Sequence, residues 1–372
     1  MSDPLSMAPG QALSLAPPQD PLSLQPLPSI STVLPSGASS IPNNNGVEVA
    51  PMQCDEQYKF IKMLGHGGTA SVEMVKDRTT GSVYARKIIR NVYTRNAKEA
   101  ERMLHREVQI MRRLEAHHHI VRVHATYIVK RKLAIILEPA ANGGDLAAFL
   151  QECRDRPDHQ VLGPVQELIV YEAFGCLAAG LAFMHKQTIR HKDIKPQNIL
   201  IHGNSVMYTD FGLSYDFGNA GQSTTSGLVQ GLTRRYCAPE VAEHSRRNTK
   251  SDIFSLGCVY LEMFSILPGV ALTDELLEGP FYEKLRTLPD QGLPLDSGFD
   301  EELAIIKTMV QMNSVDRPSA LEVVAEFERL NDSYDMYFCY DCCAALGLAD
   351  IRGKERSELS PFDYHLPQLD FE

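Results

Sequence analysis

From Tyr58 onward, apolar and polar residues alternate in short runs. Tyr58–Leu64, Ala70–Lys76 and Ser82–Ile89 each show the period of two that half-buried strands need, and Gly-rich or Asp/Thr/Gly breaks separate them. This predicts antiparallel strands joined by tight turns. Over 97–114 the spacing changes to threes and fours: Ala100, Met103, Leu104, Glu107, Val108, Met111 and Leu114 would share one face of a helix. Val121–Val129 and Leu133–Glu138 return to strand character. Beyond them the pattern is helical, over Asp145–Gln151, Gln166–His185, Lys250–Phe264, Glu301–Met312 and Ser319–Phe327. The expected fold class is α+β in two lobes, a small antiparallel-sheet lobe with one helix (57–138) and a larger, mainly helical lobe (144–330). About 270 residues suffice for two packed cores with a cleft between them.

The two ends do not share this periodicity. Residues 1–50 hold nine Pro, nine Ser and three acidic residues but no Lys or Arg, and Asp3-Pro4-Leu5-Ser6 recurs as Asp20-Pro21-Leu22-Ser23. Proline removes backbone donors and blocks helical geometry, so residues 1–56 read as a disordered Pro/Ser-rich arm. Its leucine–proline pieces suit either docking to a regulatory protein or plain solvation. Residues 331–372 read as an acidic extension, opening with an aromatic and cysteine cluster that suits a last helix on the large lobe.

Of the formal charge of -11, residues 1–50 carry -3 and residues 331–372 carry -6, which leaves -2 on 51–330. The acidity therefore says little about a substrate. It does argue against general nucleic-acid binding, which needs a concentrated basic surface. The eight Cys read as scattered through apolar or helical segments, and on that reading no structural zinc site is expected. No apolar run is read as reaching the roughly 20 residues of a membrane span, and no signal peptide is expected. The expectation is accordingly no membrane partner and a reducing compartment, the cytoplasm first with the nucleus left open. Nothing in the sequence bears on oligomeric state.

Candidate chemistry begins at Gly65-His66-Gly67-Gly68-Thr69-Ala70-Ser71-Val72, at a strand–turn–strand junction. Small residues there let the backbone fold over a charged ligand and aim amides at phosphate oxygens, although a plain hairpin turn has the same spelling. A dinucleotide fold would place the glycines at the start of a helix, and a P-loop would end in Gly-Lys-Ser/Thr. Lys87 falls on the third strand and Glu107 on the amphipathic helix. Singly each reads as a surface charge; together they read as a cleft lysine with its counter-charge. The sharpest signal is His191-Lys192-Asp193-Ile194-Lys195-Pro196-Gln197-Asn198, with Asp210-Phe211-Gly212 twelve residues after Asn198. A hairpin between them would gather Asp193, Asn198 and Asp210 around one point. An Asp can orient a hydroxyl and accept its proton, an Asn oxygen and a carboxylate suit Mg²⁺, and Lys195 can offset charge on a transferring phosphoryl group.

These residues, in this order and spacing, resemble the eukaryotic protein kinase family over 57–330. The Gly-rich loop matches Gly65–Val72, with Ala70 where a third glycine usually stands. The third-strand lysine matches Lys87, the helix glutamate Glu107, and the catalytic loop His191–Asn198 with Lys192 in place of arginine. Asp210–Gly212 resembles the magnesium-binding motif, and Ala238-Pro239-Glu240 the end of the activation segment. Ser251–Gly257 is similar to a signature of the large lobe, and Arg317 to the late arginine that pairs with Glu240.

The resemblance implies a bilobal kinase fold that uses ATP and Mg²⁺ to phosphorylate a protein hydroxyl. It implies nucleotide contacts from Gly65, His66, Gly67, Gly68, Val72, Ala85, Lys87, Leu137, Glu138, Ala140, Asp145 and Leu200. It also implies metal contacts from Asn198 and Asp210, and catalytic roles for Asp193, Lys195, Lys87 and Glu107. A regulatory stack of Val123, Met111, His191 and Phe211 is implied as well. Lys195 and Thr233 point to serine or threonine as acceptor. Thr224, Thr225 and Ser226 are candidate switch phosphosites, with an unphosphorylated loop as the alternative. The rival reading of the whole chain is a pseudokinase or interaction scaffold, for which Ala70, Lys192 and the two tails speak.

Overall fold

The computed structural model describes residues 54–67, 70–90, 96–129, 132–156, 162–218, 233–267, 278–287, 299–334 and 336–347. The chain divides into 1–48 and 49–372, and all of these residues belong to the second unit. A short helix α1 (Cys54–Gln57) leads into β1 (Tyr58–His66), β2 (Ala70–Asp77) and β3 (Val83–Ile89). Then come α2 (Ala97–Leu114), β4 (Arg122–Val129) and β5 (Lys132–Glu138). The strands form one sheet in the order β1-β2-β3-β5-β4, every pair antiparallel.

Side-chain alternation gives this sheet two apolar faces. Ala85, Ile135, Leu137 and Val123 join the main core with Leu104, Val108, Met111 and Leu114 of α2. Tyr58, Val75, Tyr84, Tyr127, Ala134 and Ile136 form a second, separate cluster. One helical position departs from its periodicity: Met103, read as part of the apolar face, is 56% exposed, while Ile110, not counted there, is buried.

The rest is mainly helical. Asp145 caps α3 (Leu146–Arg154), its Oδ1 accepting the Ala148 N–H at 2.9 Å. Next is α4 (Pro164–Lys186), then β6 (Ile189–Arg190), β7 (Ile199–His202), β8 (Ser205–Tyr208) and β9 (Tyr215–Asp216). They are followed by α5 (Pro239–Ala242), α6 (Lys250–Phe264), α7 (Phe281–Thr287), α8 (Asp300–Met309), α9 (Ala320–Tyr334) and α10 (Tyr340–Leu346).

Four expectations need correction. Helix α4, at 23 residues, is long and apolar enough to cross a membrane, yet most of its apolar stretch is buried inside the protein. Val170, Phe174, Leu177, Ala178 and Leu181 are all buried in the core, so its hydrophobicity is used inside the fold. The boundary at 330 falls inside α9, while the aromatic and cysteine cluster past it packs on the helical lobe as expected: Tyr337, Phe338, Cys342 and Cys343 are buried. Gly175 of α4 donates its N–H to Tyr337 O at 3.1 Å, and a side chain there would strike Tyr337 and Phe338. The start expected at 57 likewise falls inside α1. The cysteine reading fails too, because Cys339-Tyr340-Asp341-Cys342 is a Cys-x-x-Cys pair whose sulfurs meet His118 and His119.

Candidate active site

The loop after β6 is held from below by Asp252, which is buried in the first turn of α6. Its carboxylate accepts the His191 and Lys192 N–H groups, both at 2.9 Å, and faces His185 Nε2 at 3.1 Å. Burial alone would raise this acid; the hydrogen bond from His185 and those from the loop outweigh it and hold it below the usual carboxylate range. The fixed loop can then keep Lys192 in the left-handed region, φ 70°, which a side chain ordinarily avoids.

Asp193 follows, buried, with both oxygens engaged. Oδ1 accepts from Thr233 Oγ1 at 2.7 Å, and Oδ2 accepts from Lys195 Nζ at 2.7 Å and Asn198 Nδ2 at 2.9 Å. Thr233 Oγ1 also lies 3.0 Å from Lys195 Nζ, so acid, lysine and threonine form one triangle. Asn198 donates again, to Asp193 O at 2.8 Å, which commits its nitrogen and leaves the oxygen as the end that can bind a cation. The β7–β8 hairpin carries the chain back, and Thr209 N bonds Asn198 O at 3.0 Å. Asp210 therefore arrives beside Asn198, itself left-handed at φ 62° and half-exposed.

Lys87 reaches this point from the sheet. Its Nζ lies 2.7 Å from Glu107 Oε1 and 2.7 Å from Asp210 Oδ1. The surface reading of Lys87 and Glu107 is wrong, for both are buried. Burial would lower the Lys87 ammonium, but the two carboxylates outweigh it and hold it above its ordinary range. Asp210 is held below its ordinary value by the same lysine, against the opposing effect of burial. Behind the pair, Met111, Val123, His191 and Phe211 are all buried, with the His191 and Phe211 rings 5.0 Å apart.

The expected nucleotide-lining residues divide in two. Val72, Ala85, Leu137, Ala140 and Leu200 belong to one apolar cluster fed by both lobes, with Val72 opposite Lys87 and Ala85 opposite Leu137 in register. Gly65 and His66 end β1, and Gly67 N closes the turn onto Ala70 O at 2.8 Å; Gly68 lies outside the described residues. The Glu138 side chain turns away toward Arg122 and His124, at 3.5 and 3.8 Å, leaving only its backbone for a ligand. Asp145 is half-buried and spends Oδ1 on its helix cap, which a ribose contact would have to share.

Thr224, Thr225 and Ser226 also lie outside the described residues. Three basic groups gather at the catalytic loop. Arg190, Lys192 and Arg106 stand over the Tyr215 ring at 4.9, 6.0 and 6.0 Å. Burial, then Arg190, Arg247 and Arg106, pushes the Lys192 ammonium down. Past Thr233, Arg317 grips Glu240 with two bonds, 2.8 and 2.9 Å, and Ser251 Oγ adds a third at 2.8 Å. Sequence reasoning had no role for Asp252 or for Glu262, a buried acid that binds Arg235 and Tyr236. Both act on groups distant in sequence; Asp252 stands inside the Ser251–Gly257 signature, but local spacing reveals neither its partners nor those of Glu262.

The family model for the protein kinase domain matches residues 58–327. Among curated proteins, the chain is 28% identical to the human serine/threonine-protein kinase Nek11 over 281 residues, 72% of this chain and 40% of that protein. It is 28% identical to the tobacco mitogen-activated protein kinase kinase SIPKK over 359 residues, covering 89% of this chain and 94% of the relative. It is 27% identical to the rat serine/threonine-protein kinase Sgk3 over 288 residues, 77% of this chain and 54% of that protein. The chain spans less than half the length of Nek11. The motif order, the two-lobed fold and this match agree: the chain belongs to the protein kinase family.

Proposed function

We propose that the chain transfers the γ-phosphoryl group of ATP to serine or threonine hydroxyls of protein substrates. The observation that carries this is the meeting of Lys87, Asp193, Asn198 and Asp210, brought by three separate segments to one place. The donor set fits the cofactors. The Asn198 oxygen and the Asp210 carboxylate are hard donors suited to Mg²⁺, and Lys87 beside them offers a fixed positive charge to phosphate oxygens. Bound ATP with its Mg²⁺ supplies the phosphoryl group and neutralises its charge.

The chain's own residues do the positioning. Glu107 keeps Lys87 protonated and directed inward. Asp193, oriented by Lys195, Asn198 and Thr233, receives the substrate hydroxyl and takes its proton late, since a loose transition state asks for alignment more than for a strong base. Lys195 faces the same oxygen and offsets developing charge. The Lys195–Thr233 contact at 3.0 Å supports a serine or threonine acceptor, as do the names of the relatives. Phosphate added at 224–226 would find Lys192, Arg190 and Arg106 as its cationic partners.

Magnesium-dependent phosphorylation of a randomised peptide library tests the reading. Incorporation on Ser and Thr peptides, lost on magnesium removal, is expected. ATP binding with no incorporation on any hydroxyl would instead make the chain an interaction scaffold.

A further inference from the structure

The turn between α2 and β4 carries three consecutive histidines, His117, His118 and His119, and the C-terminal segment brings two cysteines against them. Cys339 Sγ lies 3.3 Å from His118 Nε2 and 3.4 Å from His119 Nε2, while Cys342 Sγ lies 3.4 Å from His118 Nε2. All four donor atoms fall within 4.8 Å of one another. Zinc bonds of about 2.3 Å to sulfur and 2.0–2.1 Å to nitrogen, set tetrahedrally, place S and N about 3.5 Å apart. The observed spacing is that of ligands around one common centre.

The surroundings prepare these atoms for a metal. His119 Nδ1 is 2.6 Å from Val206 O and so carries the ring proton, which leaves Nε2 bare and facing the sulfurs. The Cys342 N–H points at Cys339 Sγ, 3.5 Å away, the amide-to-sulfur contact that favours a thiolate. His119 and Cys342 are buried and the other two half-buried. Two imidazoles and two thiolates make up the donor set. With no carboxylate among them, the set is too soft for Mg²⁺ or Ca²⁺ and matches zinc.

We propose that His118, His119, Cys339 and Cys342 bind one zinc ion in a closed, structural site remote in sequence from the catalytic loop. The ion joins segments some 220 positions apart. On one side stands the turn that follows the helix bearing Glu107; on the other, the segment that leads into α10. His119 O also accepts the Tyr208 N–H at 2.8 Å, so the same turn is anchored to the hairpin that delivers Asp210. Zinc therefore fastens the C-terminal segment to the turn that ends α2. A further thiol neighbour, Cys176, receives the Cys339 N–H at 3.2 Å and acts as a supporting acceptor outside the ligand set.

The test is metal analysis of the full chain, grown with zinc and passed through gel filtration with a weak chelator. One zinc per chain is expected. Folded wild-type protein that holds no zinc, or holds copper or iron there instead, overturns the proposal. Replacing the ion with Co²⁺ should give the absorption of a tetrahedral thiolate site; an octahedral spectrum without thiolate charge transfer overturns it as well. Cys339→Ser with Cys342→Ser should abolish zinc retention and lower the melting temperature, whereas Cys176→Ser should retain the metal. Loss of zinc in Cys176→Ser with full retention in His119→Gln would overturn the ligand assignment.

Discussion

Among the individual residues, Asp252 is a buried acid that fixes the loop bearing Asp193 without touching Asp193 itself. It holds two backbone N–H groups of the catalytic loop, and without it the buried one at His191 would be left unsatisfied, at a cost of about 1–3 kcal/mol. Its folded pKa lies below the ordinary 3.8, so its stabilisation is complete above that value and is lost as pH falls through the lower folded value. Asp252→Asn should therefore melt well below wild type at pH 7, and the gap should shrink as pH approaches 3; thermal melts across that range check it, and a constant gap would deny the linkage. The sequence made Lys87, Asp193, Asn198 and Asp210 legible because their chemistry demands particular side chains at particular intervals. Asp252 was not legible as a support, since a backbone N–H has no spelling. The Cys339–His119 contact was missed because its halves stand 220 positions apart, although the Cys-x-x-Cys pair and the run of three histidines are each visible in the sequence.

Elements were legible where one face is wet or where turn residues mark the ends. Helix α2 keeps its expected limits because the three-four spacing requires a polar side. Strands β3 and β5, covered on both faces, lie within a residue or so of theirs because turn residues bound them. Helix α4 shows the opposite case. It is apolar on nearly all sides, so its periodicity says little and its composition imitates a membrane span. What identifies its partners is a missing side chain: Gly175 lets Tyr337 and Phe338 lie against the helix backbone. Gly175→Ala should destabilise the fold by about 1–3 kcal/mol, the usual cost of overpacking a filled core. Denaturant midpoints would show it. A midpoint unchanged from wild type would mean that the C-terminal segment does not pack on α4 in solution.

At the scale of the whole molecule, labour is divided among elements that meet at one site. The sheet contributes Lys87, α2 contributes Glu107, and the helical lobe contributes the acid, the amide and the second carboxylate. If that division is correct, nucleotide binding and chemistry are separable by substitution. Asp193 contacts Lys195, Asn198 and Thr233, whereas Lys87 meets Glu107 and Asp210 and is proposed to hold phosphate. The most direct measurement is nucleotide affinity and phosphotransfer rate, determined on the same preparation of Asp193→Asn and compared with wild type and Lys87→Met. Asp193→Asn should bind ATP with nearly wild-type affinity while its turnover falls by about 10²–10⁴-fold, the usual contribution of a positioned proton acceptor. Lys87→Met should lose affinity and rate together. Wild-type turnover in Asp193→Asn would contradict the account.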